Sequence, residues 1–356
     1  MRLLFRCCLT ALLLVSSVQH GFAQASFTVL DQAQDSGGGV VQPDATQPAD
    51  SVRPDAPPPP CGTQQLTIAS MGWPSAAVLA EIHARLLRIH FACDTQVIPG
   101  DLTATTSSMG SSGQPAVAPE MWVGRVADVW NPAVQAQMVR PATNTYASQV
   151  FEGWFMPDYL AATNPGLANA AGLKAALPGV AGGGKVRFVT CPVDWACSVI
   201  NRNLIKALGL EGLVDIVVPA NRFEMDTLIG EAVSKQQPVL FYYWQPNAIL
   251  NQFSFKPIDL GAYDAEALKC LAQISCPSPK PSSFAPETVV IALADRVFTE
   301  TPMIAGYFQR ASLPLKEMDA LLAQLNEAGA TPQSVADRFV AERQDIWKSW
   351  VGTGPP

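Results

Sequence analysis

From Gln64 onward, short apolar runs of strand length alternate with longer segments whose apolar residues recur at helical spacing, and this alternation most constrains the fold. Residues 65–70 read as a strand, Gly72-Trp73-Pro74 as a turn, and Ser75 as the N-cap of a helix running to about His90. Ala77, Leu79, Ile82, Leu86 and Ile89 mark the buried side of that helix. His83 and His90, seven residues apart, share one of its faces and read as satisfied surface or half-buried histidines. Strands follow at 95–98 and 115–122, separated by a polar Thr/Ser/Gly stretch over 103–113 with no assigned element. The pattern then repeats, with strands at 185–190, 238–243 and 287–293 and helices at 196–207 and 225–235. The C-terminal part is helical: 315–327 stops at Gly329, and Thr331-Pro332 supplies an N-cap and an N1 proline for a last helix. Trp347 and Trp350 continue its stripe of Val335, Phe339 and Ile346 and read as core. The fold class is α/β.

The N-terminus reads as an export signal. Arg2 and Arg6 form a positive region, residues 9–18 a short apolar region, and Ala23-Gln24-Ala25 a small-x-small site, so cleavage is expected after Ala25. A bilayer span needs about 20 apolar residues, more than this run offers. Residues 26–60 hold seven prolines, five aspartates and one basic residue, Arg53. That composition buries too little apolar surface to offset chain entropy, so 26–60 is read as a disordered tether. Beyond the signal six cysteines remain, as three disulfides in an oxidising compartment would give. Cys191 with Cys197 and Cys270 with Cys276 are each six apart, which leaves Cys61 for Cys93.

Composition and motifs exclude several activities. A net charge of −7 offers no basic footprint for nucleic acid or anionic lipid. With three histidines in the whole chain, no CxxC and no histidine near the later cysteines, no metal site is expected, and no cofactor. Residues 179–185 (GVAGGGK) have phosphate-loop spacing, but Val186 stands where Ser or Thr would hold magnesium, and a strand follows instead of a helix. No GxSxG elbow, HExxH or nucleophile–His–acid set is present, so no catalytic residue is assigned.

The tryptophans carry more information. Trp73, Trp122 and Trp244 stand where expected strands end, and Trp195 lies inside the short cysteine loop 191–197. In α/β sheets ligands bind at the carboxyl ends of strands. An indole face attracts a desolvated cation by about 2 kcal/mol, so several faces around one cleft would suit a quaternary ammonium, which has no N–H to donate. Packing between lobes is the equally weighted structural alternative.

Several segments resemble the substrate-binding proteins of glycine betaine/choline/proline betaine ABC transporters. They are Leu66-Thr67-Ile68 through Trp73, Gly113 to Trp122, Gly153-Trp154-Phe155-Met156-Pro157, and Cys191 to Cys197 followed by Val199-Ile200-Asn201. Pro238 to Pro246 (PVLFYYWQP) and Tyr307-Phe308 through Leu313-Pro314-Leu315 complete the set. The cysteine loop and the FYYW-x-P segment are the specific pieces, and the likeness runs over nearly the whole chain from Gln64. It implies a two-lobed periplasmic-binding-protein fold, each lobe a mixed sheet flanked by helices, joined by two crossover strands. The implied lobes are 61–147 with 285–356, and 148–284.

The resemblance also implies a site. Trp122, Trp195 and Trp244 would form an aromatic cage, with Trp73 as a fourth wall, and the Ala196 and Cys197 N–H groups at a helix N-terminus would take an anionic group. Trp130 is second choice to Trp122, whose intervals to Trp154 and Trp195 fit better. Two residues depart from the family pattern. Asp194 replaces a glycine in the cysteine loop, where it would repel a carboxylate or else cap the following helix. Glu120, two residues before Trp122, could complement a cation that has no acid group, shifting preference toward choline-like ligands; pairing with Arg125 or facing solvent are its alternatives. The implied function is that of a periplasmic, monomeric, non-enzymatic protein delivering a quaternary amine to an inner-membrane ABC permease, without membrane insertion. An exported enzyme acting on choline esters and a sensory module for a membrane receptor are the competing classes.

Overall fold

The computed structural model describes residues 60–62 and 64–352. The expected signal, and the tether up to Pro59, lie outside the described residues. Ten strands are present: β1 (Leu66–Met71), β2 (Thr95–Gly100), β3 (Val117–Trp122), β4 (Val139–Asn144), β5 (Glu152–Pro157), β6 (Val186–Val189), β7 (Val214–Val217), β8 (Val239–Trp244), β9 (Phe255–Pro257) and β10 (Val289–Ala294). They form two five-stranded sheets, ordered β2-β1-β3-β10-β4 and β7-β6-β8-β5-β9. Both sheets follow one plan. Three strands run parallel, and the fourth position is antiparallel to both of its neighbours. That fourth strand, β10 in one sheet and β5 in the other, is the first strand after the chain passes over from the other sheet. The two passages, 145–151 and 258–288, carry no ladder of their own; Tyr146 makes an isolated bridge to Leu313 and Asn169 one to Asp259.

Burial explains the strand sequences. β3 and β10 are buried at every position, as central strands covered on both faces must be, and read as near-continuous apolar runs. β2 is an edge, with a partly exposed TQVIPG sequence that places a proline where a missing N–H costs little. Separate apolar cores form around the two sheets, one holding Ile68, Leu79, Tyr307 and Trp350, the other Trp154, Phe188, Phe241 and Tyr243. The expected pairings Cys61–Cys93, Cys191–Cys197 and Cys270–Cys276 are all formed.

Several elements differ from the sequence reading. The first helix spans Pro74–Phe91, with Trp73 at the N-cap and Pro74 at N1. Ser75 is therefore inside the helix, and its hydroxyl turns to a buried carboxylate. Ile89 is exposed and Ala77 half-buried, whereas the buried side includes His83, which packs against Tyr307, Phe308 and Trp350. His83 is fully buried, its Nδ1 2.7 Å from the Tyr307 hydroxyl, and desolvation lowers it to about 3, so it is neutral; His90 is exposed. The polar stretch is a helix, Leu102–Ser112, started by Asp101 accepting from Ala104 N at 2.9 Å and ended at Gly113 with φ +66°. Its hydroxyls bond carbonyls one turn back, as Thr106 does to Leu102 and Ser111 to Ser107, so a Thr/Ser-rich segment stays helical. Near the C-terminus the helix Leu315–Gln324 ends earlier than expected. The last helix breaks at Arg343 into Pro332–Glu342 and Gln344–Val351, with Trp347 and Trp350 in the core.

Candidate ligand-binding site

The strand ends decide where the tryptophans go. Trp122 is the last residue of β3 and Trp244 the last of β8. Trp73 follows β1 directly, and Trp195 is the N-cap of the helix Ala196–Ala207 that follows β6. These are the carboxyl ends of the parallel strands, two from each sheet. All four line one cleft of about 820 Å³, together with Glu120, Ala196 and Cys197. The six residues implied by the resemblance thus converge with Glu120, the residue that departs from the family pattern. Trp130 does not join them: it is buried in the helix Ala127–Gln135 among Met109, Val126 and Ala133.

Supporting contacts fix the walls. Trp195 and Trp244 meet edge-to-face, with ring centroids 5.5 Å apart at 62°, and Trp244 stacks on Tyr243 at 4.7 Å. The buried Trp154 donates to Asn201 Oδ1 at 2.8 Å, and Asn201 donates to Thr190 at 2.9 Å, tying the helix behind Trp195 to the sheet. The Cys191–Cys197 bridge closes the loop that carries Trp195. Ala196 and Cys197 open their helix, where N–H groups have no carbonyl of the preceding turn to reach. Asp194 is exposed and away from the cleft lining, and the N-cap is Trp195 without a side-chain cap. The residue thus neither caps the helix nor lines the cleft.

Glu120 is the unusual group. It is fully buried, and its Oε1 accepts from Ser75 Oγ and from Trp122 Nε1, each at 3.1 Å. It neither pairs with Arg125 nor faces solvent. Its Oε2, Trp73 Nε1 and the Tyr146 hydroxyl are buried without hydrogen-bond partners. Burial pushes the Glu120 carboxyl from its ordinary 4.5 up to about 7, against the pull of the Ser75 and Trp122 donors that bond its Oε1. A carboxyl held there with one free oxygen has unspent capacity for a donor or a cation.

Sequence reasoning missed the charged part of the lining. Arg125 lies over the Trp122 ring, 4.7 Å from its centroid, and pairs with Glu287 at 3.2 Å and Glu152 at 3.4 Å. Glu152 also accepts from the Tyr242 hydroxyl at 2.6 Å. Arg222, Phe223 and Asn247 complete the lobe around β8. The Asn247 N–H donates across to Asp319 at 2.7 Å, a carboxyl that burial raises to about 6. The only sequence signal for these residues was proximity: Arg125 stands three after Trp122, and Asn247 three after Trp244.

Chemically the cleft offers aromatic faces to a cation, backbone N–H groups to an anion or dipole, and one buried carboxyl. Among the described residues no cluster of metal-ligating side chains occurs and no helix is long and apolar enough to cross a membrane.

The model of the substrate-binding domain of ABC-type glycine betaine transport systems matches residues 64–342. No curated protein matches the chain. Similar solved structures include a glycine betaine/L-proline-binding protein from Borrelia burgdorferi, 11% identical, covering 81% of this chain and 97% of that one at a TM-score of 0.53. A lactococcal protein in a closed form complexed with glycine betaine is 13% identical, covering 81% and 100% at 0.52. An ABC-transporter choline-binding protein complexed with choline is 15% identical, covering 81% and 93% at 0.51. At these identities the structures establish the shared two-lobed fold, and the family match spans most of the chain. The chain belongs to the family of substrate-binding domains of ABC-type glycine betaine transport systems.

Proposed function

We propose that this protein binds a quaternary ammonium compound between its two lobes and delivers it to an ABC permease, and that the preferred ligand carries a cation but no acid group, as choline does. The observation that carries the preference is Glu120, a fully buried carboxyl with one unpartnered oxygen in the lining of a tryptophan-walled cleft. A ligand cation near it would recover the desolvation that ionised Glu120 suffers, whereas a betaine would bring a second carboxylate toward it. Trp195, Trp244, Trp122 and Trp73 serve as walls, and the Ala196 and Cys197 N–H groups face the ligand's polar end. Similar solved structures hold ligands of both kinds, glycine betaine in one and choline in another, so scaffold alone does not choose. The lobes comprise 61–147 with 285–356, and 148–284. The expected export signal and the three disulfides fit a periplasmic location, where the protein acts as a monomeric carrier of ligand.

Tryptophan fluorescence of the purified protein, titrated with choline, glycine betaine, proline betaine and carnitine, tests the reading. Saturation with choline at the lowest concentration is the expected result. Glycine betaine first would overturn the preference, and no response to any of the four would overturn the quaternary-ammonium assignment.

A further inference from the structure

The Trp122 ring is not free to receive a cation, because one already lies on it. The Arg125 guanidinium sits over its face at 4.7 Å, and the tryptophan is only 8% exposed. Trp195 and Trp244, by contrast, are half-buried, and among the described residues the cations that lie on rings cover Trp122, Phe298 and Phe223 instead. Arg125 is held from two directions. Its Nε donates to Glu287, two residues before β10, and its Nη2 to Glu152, the first residue of β5. Both acids therefore stand where the chain enters one sheet from the other. Glu287 is pressed against the backbone beside Arg125: a Cβ on Gly124 would lie 2.9 Å from Glu287 Oε2. Glu152 is anchored in turn by the Tyr242 hydroxyl. A guanidinium and a quaternary ammonium compete for the same feature of an indole, the negative face of its ring.

We propose that Arg125 is a resident cation on the cage, so that ligand binding exchanges one cation for another on Trp122, and that Arg125 thereby sets the affinity and specificity of the site. This rests on the quaternary-ammonium reading above. Ligand reaches Trp122 when the guanidinium moves off the ring, and the two glutamates at the passages between sheets remain available to hold it. The exchange lowers affinity by about the strength of one partly exposed cation–π contact, which corresponds to roughly a fivefold change in Kd.

The test is calorimetric titration of choline into the wild type, R125Q and the double variant R125Q/E287Q. The double variant keeps the wild-type net charge of the site while leaving the ring uncovered. Both variants are expected to bind choline about fivefold more tightly than the wild type. Unchanged or weaker binding by R125Q would overturn the proposal. Tighter binding by R125Q that returns to the wild-type value in the double variant would also overturn it, since charge alone would then account for the gain. Absence of choline binding in all three proteins would instead refute the underlying ligand assignment, which separates the two failures.

Discussion

Replacing Glu120 with glutamine gives the most informative perturbation of the site. Glutamine keeps an Oε1 acceptor for Ser75 and Trp122 but cannot ionise. In the folded protein without ligand, burial holds the Glu120 carboxyl at about 7 instead of its ordinary 4.5. At 1.36 kcal/mol per pH decade, that difference amounts to about 3 kcal/mol against the ionised form. The sign follows from proton counting. Between pH 4.5 and 7 the folded state keeps the proton that the unfolded chain has released, so stability falls as pH rises through that window and is level above it. Glu120→Gln lacks this loss. It is expected to match the wild type near pH 4.5 and to exceed it by up to about 3 kcal/mol at pH 8, roughly 6 °C in Tm for a protein of this size. Choline affinity should move the opposite way: rising with pH toward 7 in the wild type, flat and weaker at pH 8 in the variant. Thermal unfolding and calorimetric titration across pH 4.5–8.5 read both effects. A variant that gains no stability at pH 8, or binds choline there as well as the wild type, would refute the reasoning.

Other outcomes follow from the same geometry. Trp195→Ala and Trp244→Ala should each weaken ligand binding roughly 5- to 30-fold, the loss of about 1–2 kcal/mol of cation–π attraction, while Trp130→Phe leaves Kd unchanged in the same fluorescence titration. Paired Cys191→Ser and Cys197→Ser substitutions should cost about 2 kcal/mol in chemical denaturation, the chain-entropy value for so short a loop, and weaken binding through release of Trp195. Asp101→Ala should lower stability by about 1 kcal/mol through loss of the cap on the helix Leu102–Ser112, with no change in ligand affinity. Asp319→Ala should weaken binding as well as stability, since it frees the Asn247 N–H that ties the segment after Trp244 to the helix Leu315–Gln324.

What could be read in advance depended on how local the determinants were. The helix Ala196–Ala207 was legible to its ends because a disulfide-closed loop precedes it and apolar residues recur along it. Trp122 and Trp244 were legible as strand-end aromatics because β8 is an unbroken apolar run and β3 one interrupted only by Glu120. The helix Leu102–Ser112 was missed because threonine and serine have weak helix propensity, and its stability comes from an aspartate cap and the burial of Thr105, Thr106 and Met109. Ser75 was misread as a cap because its true partner, Glu120, is 45 residues away. The same limit hid Arg125: nothing near it in sequence announces Glu287, 162 residues on, and only the fold places that carboxylate beside the arginine that lies over Trp122.

The central claim is that a quaternary ammonium sits among these tryptophans, and a crystal structure of the protein with choline at saturating concentration tests it most directly. The account predicts choline nitrogen within about 6 Å of the Trp195 and Trp244 ring centroids, Arg125 moved off Trp122, and Glu120 Oε2 no longer without a partner. Choline bound elsewhere, or a cleft left empty at that concentration, would contradict it.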